Sequence, residues 1–338
     1  MKRWIRPVLL SVAVLLLAAL GYGAWRFGHP ALPAGSETLA PSRRSPGALI
    51  AQSFGTTTLV FRDGRNAIMI DALLSRPGIG TVLFGKVASD PQRIDGILRR
   101  AALRKVDLLL VSHTHYDHAL DIAAVAKRTG ARIIGSSSTR EVALGGGVPP
   151  AGVVTIRGGE KFVAGDFTVR VFRSLHSPGD RVPGDVTAPL RQPAAVGDYR
   201  QGSTYTFLVT HRGMRILVHA SANFVPGMYR GVRADVVFLA TGGLSTQAAD
   251  FTKRYWQEVV ETTGAKLVVP IHWDDFLQPL DQPMQPLRRF MDDIPLTMAR
   301  IAPIARQDHV DIRTMPVIAP VDIGAAARAA MLKTGPTP

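Results

Sequence analysis

Apolar and polar positions follow three regimes along this chain, and each predicts a different kind of element. Residues 7–25 carry no charge, with Lys2, Arg3 and Arg6 before them and Arg26 after. A run of that length is close to the roughly 20 residues that a helix needs to cross a bilayer. Trp4 and Trp25 stand at its two ends, where tryptophan prefers the membrane interface. The pattern predicts an N-terminal anchor over residues 1–28, with a signal peptide cut near Ala19-Leu20-Gly21 as the alternative. Either way the basic residues stay cytoplasmic and the bulk of the chain is exported. It then faces the periplasm or the cell exterior on its anchor, or is secreted if the leader is removed. In the second regime, residues 29–47, Pro30, Pro33, Pro41 and Pro46 alternate with Gly35, Ser36, Ser42 and Ser45, which reads as an extended linker.

From 48 to 323 the third regime sets in, short apolar runs separated by turn residues and helical stripes. Residues 59–61 and 67–70 flank Asp63-Gly64 and predict a hairpin; 205–209 and 214–218 flank His211-Arg212-Gly213 and predict a second. Asp90-Pro91 opens a helix, aspartate as cap and proline in the first turn, with Ile94, Ile97, Leu98 and Ala101 on one face. Further strands are expected at 106–111, 132–135, 167–172, 234–239 and 266–271, with helices at 120–128 and 251–261. Strands alternating with helices imply an α/β domain, and the hairpins require mixed sheets. Residues 177–203 hold Pro178, Pro183, Pro189 and Pro193 with no regular pattern. So long a loop inside a domain suggests a lid or a substrate-contacting segment, with Arg181, Arg191, Tyr199 and Arg200 as contacts. Residues 324–338 read as a flexible tail.

The apolar run 106–111 leads straight into Ser112-His113-Thr114-His115-Tyr116-Asp117-His118. Three imidazoles and a carboxylate at the end of a buried strand suit zinc, iron or manganese, because neutral imidazole and ionised carboxylate are their ligands. Residues 113 and 115 would face one ion, 117 and 118 a second. With no cysteine in the chain, thiolate ligands, disulfides and cysteine nucleophiles are excluded.

His-x-His-x-Asp-His after an apolar strand resembles the metal-binding signature of the metallo-β-lactamase superfamily, whose fold is a four-layer αββα sandwich. The resemblance implies further ligands, and His176 after residues 169–175 and His272 after 267–271 stand where they are expected. It also implies an aspartate closing an early strand, which Asp71 supplies after 67–70. Many members carry a bridging aspartate after a later strand, but here that position falls at Ser221, and a hydroxyl is a poor bridge beside a carboxylate. One subclass of the β-lactamases also has serine there and still binds two zincs. By that analogy His113, His115 and His176 hold one divalent ion, and Asp117, His118 and His272 hold the other, zinc first with manganese or iron as alternatives. Asp117 is also the catalytic carboxylate on this reading, with Asp71 and Asp274 as supporting groups and Ser221, His219 and Asn223 lining the site.

The implied chemistry is hydrolysis by a hydroxide formed on the metal, since an ion with an open position lowers the pKa of water from about 15.7 to near 7. An ester, a lactone or a phosphodiester is the expected bond. The phrases around His118 and His272 are most similar to the branch holding sugar-phosphate lactonases and the phospholipase D-type enzymes of N-acyl phosphatidylethanolamines. The alternatives are a lipid phosphodiesterase, a β-lactamase, or a metal-binding protein that has lost catalysis, as Ser221 would allow. Net charge is +14, of which +5 belongs to residues 1–47, leaving a dispersed +9 that favours anionic substrates or an anionic membrane. No phosphate-binding glycine loop or nucleic-acid module is present, so the expected partners are a small-molecule or lipid substrate and, through the N-terminal segment, the membrane.

Overall fold

The computed structural model describes residues 2–32, 37–42 and 47–334. Helix α1 (Lys2–Phe27) comes first. Strands β1 (Ile50–Ser53), β2 (Leu59–Arg62) and β3 (Ala67–Ile70) then form an antiparallel meander, followed by helices α2 (Ile79–Phe84) and α3 (Pro91–Arg100). Strands β4 (Leu108–Leu110), β5 (Arg132–Gly135) and β6 (Val153–Thr155) add in parallel. Helices α4 (Tyr116–Ala119) and α5 (Ile122–Thr129) fill the crossover from β4 to β5, and α6 (Ser137–Gly145) fills the next.

The second half repeats the scheme. Strands β7 (Lys161–Ala164), β8 (Phe167–Ser174), β9 (Thr204–His211) and β10 (Met214–His219) are antiparallel neighbours. Strands β11 (Val236–Ala240), β12 (Leu267–Ile271) and β13 (Asp311–Ile312) continue in parallel, with α7 (Ala249–Trp256) and α8 (Ile294–Gln307) in the crossovers. Strand β14 (Val321–Asp322) returns to pair with β1, and α9 (Ile323–Thr334) follows it. Among the described residues the sheets run β14-β1-β2-β3-β4-β5-β6 and β13-β12-β11-β10-β9-β8-β7.

Side-chain alternation along the strands builds the layers. Leu59, Phe61, Ile68, Ile70 and Leu110 meet Phe207, Val209, Ile216, Val218 and Phe238 between the two sheets, with Phe61 edge-on to Phe238 at 5.3 Å. The intervening Val60, Met69, Leu109 and Ile133 point the other way, onto Ile94, Ile97 and Leu98 of α3 and Ile122 and Val125 of α5. Trp256 of α7, Ile301 and Ala305 of α8 and Ala327 of α9 cover the second sheet. Helix, sheet, sheet and helix thus make the αββα sandwich.

The helix expected at 120–128 is α5, starting two residues later, where the buried Asp121 carboxylate accepts the Leu74 and Ser75 N–H groups at 2.6 and 2.7 Å; the short α4 before it lies in the histidine run. Two expectations change. The expected flexible tail is instead helix α9 through Thr334, with Ile323, Ala327 and Ala330 buried on one face; residues 335–338 lie outside the described residues. The linker is not a free spacer where it is described. Leu39 N–H reaches Thr314 O at 2.9 Å, Thr314 N–H reaches Glu37 O at 3.0 Å and Ser42 N–H reaches Pro320 O at 2.8 Å. Pro33, Gly35, Ser36, Ser45 and Pro46 lie outside the described residues.

His219, expected as a site residue, is a core hydrogen-bonding post. Its Nε2–H donates to Asn223 O at 2.6 Å, and its Nδ1 lone pair faces the Thr206 and Tyr229 hydroxyls at 3.0 and 2.9 Å and accepts from one of them. Burial pushes the imidazole down to about 4 from an ordinary 6.5, against a smaller upward pull from the Asn223 carbonyl. The fold therefore favours the neutral ring, so its contribution is complete above pH 6.5 and is lost as pH falls through about 4. Denaturation in urea at pH 7.5 and pH 5 should show the parent losing about 2 kcal/mol more than His219→Gln. Equal losses would remove His219 from the acid response.

Candidate metal centre

Five strand ends at one edge of the sandwich supply the centre. Asp71 follows β3, Ser112 to His118 follow β4, His176 follows β8, Ser221 follows β10 and His272 follows β12 directly. Two of these residues hold a left-handed backbone that is uncommon outside glycine, Asp71 at φ 50 and His272 at φ 59. Each is over-determined by its contacts, as such positions require. Gly242 belongs to the same arrangement, because a Cβ there would lie 2.7 Å from His272 O and 2.9 Å from its Nδ1.

The six residues proposed as ligands converge in two adjacent groups. Ligand atoms of His113, His115 and His176 lie within 4.8 Å of one another, and so do those of Asp117, His118 and His272. The groups adjoin, with the rings of His113 and His118 3.7 Å apart at their centroids. Asp117 Oδ2 sits 3.2 Å from His272 Nε2 and 3.5 Å from His118 Nε2.

Hydrogen bonds fix which nitrogen faces inward in four of the five rings, His272 Nδ1 being buried without a partner. The Asp71 carboxylate is the hub. It accepts the Ser112 N–H at 2.7 Å, the Ser112 hydroxyl at 2.7 Å, the Thr57 hydroxyl at 2.6 Å and His118 Nδ1–H at 2.8 Å. Because the Ser112 hydroxyl donates to Asp71, it accepts from His113 Nδ1–H at 3.2 Å. His176 Nδ1–H is taken by Ser177 O at 3.0 Å. His115 Nε2–H lies 3.3 Å from both Val182 O and Asp180 Oδ1. Nε2 of His113, His118 and His176 and Nδ1 of His115 are thereby left with their lone pairs free.

The donor set fits divalent metal. His113 Nε2 is buried with no hydrogen-bond partner, a costly state for a polar atom that ligation relieves. Burial pushes the His113 imidazole well down, and the neighbouring His118, His176 and His115 push it further. Burial and His115 likewise bring His176 to about 4. Neutral imidazole is the ligand form. Burial pushes the Asp117 carboxyl up, but His118 and His272 outweigh it and hold it far below the usual carboxylate range. His272 is raised, since its hydrogen bond and charge attraction to Asp117 exceed the effect of burial.

The remaining expected residues divide. Ser221 does not bridge the two groups; its hydroxyl accepts Ser177 N–H at 2.9 Å and fixes the loop after His176. Asn223 holds the same loop through His176 O at 2.6 Å. Asp274 touches no ring: it accepts Thr56 N–H at 2.6 Å and Arg76 Nη2 at 2.6 Å, and Thr56 O in turn takes the His272 N–H at 2.7 Å. Arg200 lies off the cavity, its guanidinium reaching Pro183 O at 3.4 Å. The loop it belongs to is tied to Thr114, whose N–H donates to Gln201 O at 2.9 Å, so residues 178–182, with Arg181, form the wall instead.

Sequence reasoning missed Thr57, Asp180 and the unpartnered, buried Tyr116 hydroxyl that borders the cavity. The Gly55-Thr56-Thr57-Thr58 run and the Ser-Pro-Gly-Asp turn after His176 were the available signals. A further grouping, Asp63, Asp166 and His211, lies at the opposite ends of these strands and is satisfied within the turns. Asp63 accepts from Arg65, Asn66 and His211, and Asp166 pairs with Arg212.

Comparison with known proteins identifies the family to which this fold belongs. The family model for the Beta-lactamase superfamily domain matches residues 66–273. A UPF0173 metal-dependent hydrolase of an Anaeromyxobacter species is 39% identical over 111 residues, 32% of this chain and 40% of that protein. One from Myxococcus xanthus is 30% identical over 169 residues, 49% of this chain and 53% of that protein. The chain thus spans about half or less of the length of these curated relatives. Among solved structures, a possible metal-dependent hydrolase from Veillonella parvula superposes with a TM-score of 0.50 at 14% identity, over 81% of this chain and 99% of that one, a likeness of fold. With the family match extending over more than half of its length, from the turn before β3 to the residue after His272, the chain belongs to the metallo-β-lactamase superfamily.

Proposed function

We propose that this protein is a metal-dependent hydrolase with a binuclear centre, zinc first, acting on an ester, lactone or phosphodiester, and that α1 anchors it to a membrane. The observation that carries the reading is the inward set of four unprotonated imidazole nitrogens, one of them the buried, partnerless His113 Nε2, beside the ionised Asp117. His113, His115 and His176 would hold one ion and Asp117, His118 and His272 the other; residue 221 is serine and offers no carboxylate, its hydroxyl being engaged by the Ser177 N–H. Bound there, the ions supply Lewis acidity and an acidified water.

The chain's own groups do the rest. Asp117, kept ionised by His118 and His272, would accept a hydrogen bond from the attacking water and orient it rather than take its proton, since a carboxyl held so far below neutral pH is a weak base. The water oxygen adds to the acyl carbon or phosphorus, the bond to the leaving oxygen breaks, and the proton passes to that oxygen. Asp71 orients His118 directly and His113 through Ser112, and Asp180 orients His115. Leu10–Phe27 is long and apolar enough to span a bilayer, with none of it buried. That exposure favours an anchor or a leader over a core helix.

The full chain purified in mild detergent should contain about two divalent ions, and chelation should abolish turnover of a chromogenic ester, lactone, phosphodiester or β-lactam, with zinc, manganese or iron restoring it. No turnover of any probe after reloading would move the protein to metal binding without catalysis.

His115→Ala should lose an ion and lower kcat/KM by about 10³-fold or more, whereas Asp71→Asn should keep the ligands and lose about 10–100-fold in metal affinity or activity. Unchanged metal content in His115→Ala would refute the ligand assignment. A reporter active only outside the cytoplasm, fused after Gly47, should be active in cells; an inactive fusion would refute export.

A further inference from the structure

The cavity over the histidines has a volume of about 430 Å³, and its two ends differ. Histidines and Asp117 line the floor, while Ile79, Val82, Leu83, Leu277, Phe290 and Met291 line the outer walls. The first three belong to α2, a six-residue apolar helix with no buried residue. Leu83 is 57% and Phe84 89% exposed, so α2 contributes little to the core and presents a contiguous apolar rim to the surroundings. An exposed apolar patch at a cavity mouth marks an interaction surface.

The facing wall identifies the surroundings. Phe290 packs on Phe27 of α1 with ring centroids 4.9 Å apart, and its N–H donates to Arg26 O at 3.0 Å. Arg26 donates to Arg289 O at 3.1 Å, Arg288 donates to Phe27 O at 3.1 Å, and the Arg289 guanidinium lies 5.2 Å from the Trp25 ring centroid. The end of the apolar helix is therefore fastened to the lip of the cavity. Cationic groups sit at this junction, Arg26, Arg288 and Arg289 on one side and exposed Lys86 after α2 on the other, as befits residues at a lipid headgroup level. Trp25, 51% exposed, is at home at the same level. Among the described residues, Arg181 is the one lysine or arginine on the cavity wall, placed to meet an anionic group.

From this continuity of helix, lip and cavity we propose that the mouth opens onto the bilayer, with α2 immersed in its surface, and that the substrate is a membrane amphiphile. Its acyl chain enters between α2 and Phe290–Met291, and its hydrolysable head reaches the histidines. This rests on the metallo-hydrolase reading for the reacting end only; the port is a property of the apolar walls and the anchor.

The absence of cysteine makes the port directly testable. The full chain is reconstituted in phosphatidylcholine vesicles with a single labelled cysteine, Phe84→Cys, or Lys105→Cys as control in the loop before β4, at the strand end opposite His113. Spin-labelled lipid should quench the fluorophore at position 84 at least fivefold more than at 105. A phosphatidylcholine carrying a diazirine on its acyl chain should, on photolysis, attach to peptides holding Ile79 to Leu83 and Phe290 to Met291 as well as to α1. Equal quenching at the two positions, or crosslinks confined to α1, would overturn the port and leave the cavity to water-soluble substrates. Crosslinks in these wall peptides from a protein that hydrolyses none of the chromogenic probes would sustain the port while the hydrolase reading failed.

Discussion

Asp71 is the group on which the centre depends, since one buried carboxylate there accepts four hydrogen bonds, from Ser112 N–H, the Ser112 and Thr57 hydroxyls and His118 Nδ1–H. A buried charge without such partners would cost several kcal/mol, so the strand end closes around it or does not form. Its proton acceptance runs in two directions. It sets the His118 tautomer directly and, by claiming the Ser112 hydroxyl proton, it obliges that oxygen to accept from His113. One ligand of each proposed ion is thus oriented by a single residue. The left-handed backbone at Asp71 is what turns its side chain back beneath the β4 end rather than out along the sheet.

A second buried charge supports the other half of the site. Arg76 and Asp274 are almost fully buried and meet at 2.6 Å, and Arg76 also donates to Phe54 O at 2.9 Å. Gly55 is required beside them, because a Cβ there would collide with both the Arg76 guanidinium and the Asp274 carboxylate, and its φ of 73 suits glycine alone. The pair holds the turn at Thr56, and Thr56 O takes the N–H of strained His272. Such pairs add little net stability over apolar packing but fix one geometry when satisfied. Here the fixed geometry is the position of His272, a proposed ligand.

How much of this was legible follows from how many jobs each residue type can do. Three histidines and an aspartate crowded onto the end of an apolar strand have few explanations besides ligation, so His113, His115, Asp117 and His118 stood out, and the strand contexts of His176 and His272 followed from the resemblance. The hairpins were legible because Gly64 and Gly213 hold the positive φ that a tight turn requires and other residues resist; in the second turn Arg212 takes positive φ as well. Thr57 and Asp180 were not legible, since lone threonines and aspartates in loops serve turns and caps as readily as ligands. Arg200 and Arg181 are indistinguishable by type; the tie between Thr114 and Gln201 decides which faces the cavity. Helix α9 was hidden by its composition: one isoleucine, Ile323, followed by Ala327 and Ala330 buries a face too small to register as amphipathic, yet small enough to lie close on β1 and β12.

If α1 anchors the protein as proposed, the contacts of the N-terminal segment constrain how the sandwich would sit against a membrane. A free linker of the kind that proline and serine suggest would let the domain tumble on its anchor, and no face would be favoured. Instead His29 Nε2 meets Asp275 Oδ2 at 2.7 Å, Arg288 joins that same carboxylate at 3.0 Å, and residues 37–42 are strapped to Thr314 and Pro320. The attachment begins within the last turn of α1 rather than after a spacer. Asp275 therefore acts twice, tying His29 to the segment that carries Phe290 and, through its carbonyl, accepting from Arg76 at 3.3 Å, the partner of Asp274. The C-terminal end of α1 and the scaffold of His272 are thus joined through two consecutive aspartates. On the proposed anchor reading, that connection would hold the lip of the cavity at one fixed depth, which a helix serving only as a tether would not need.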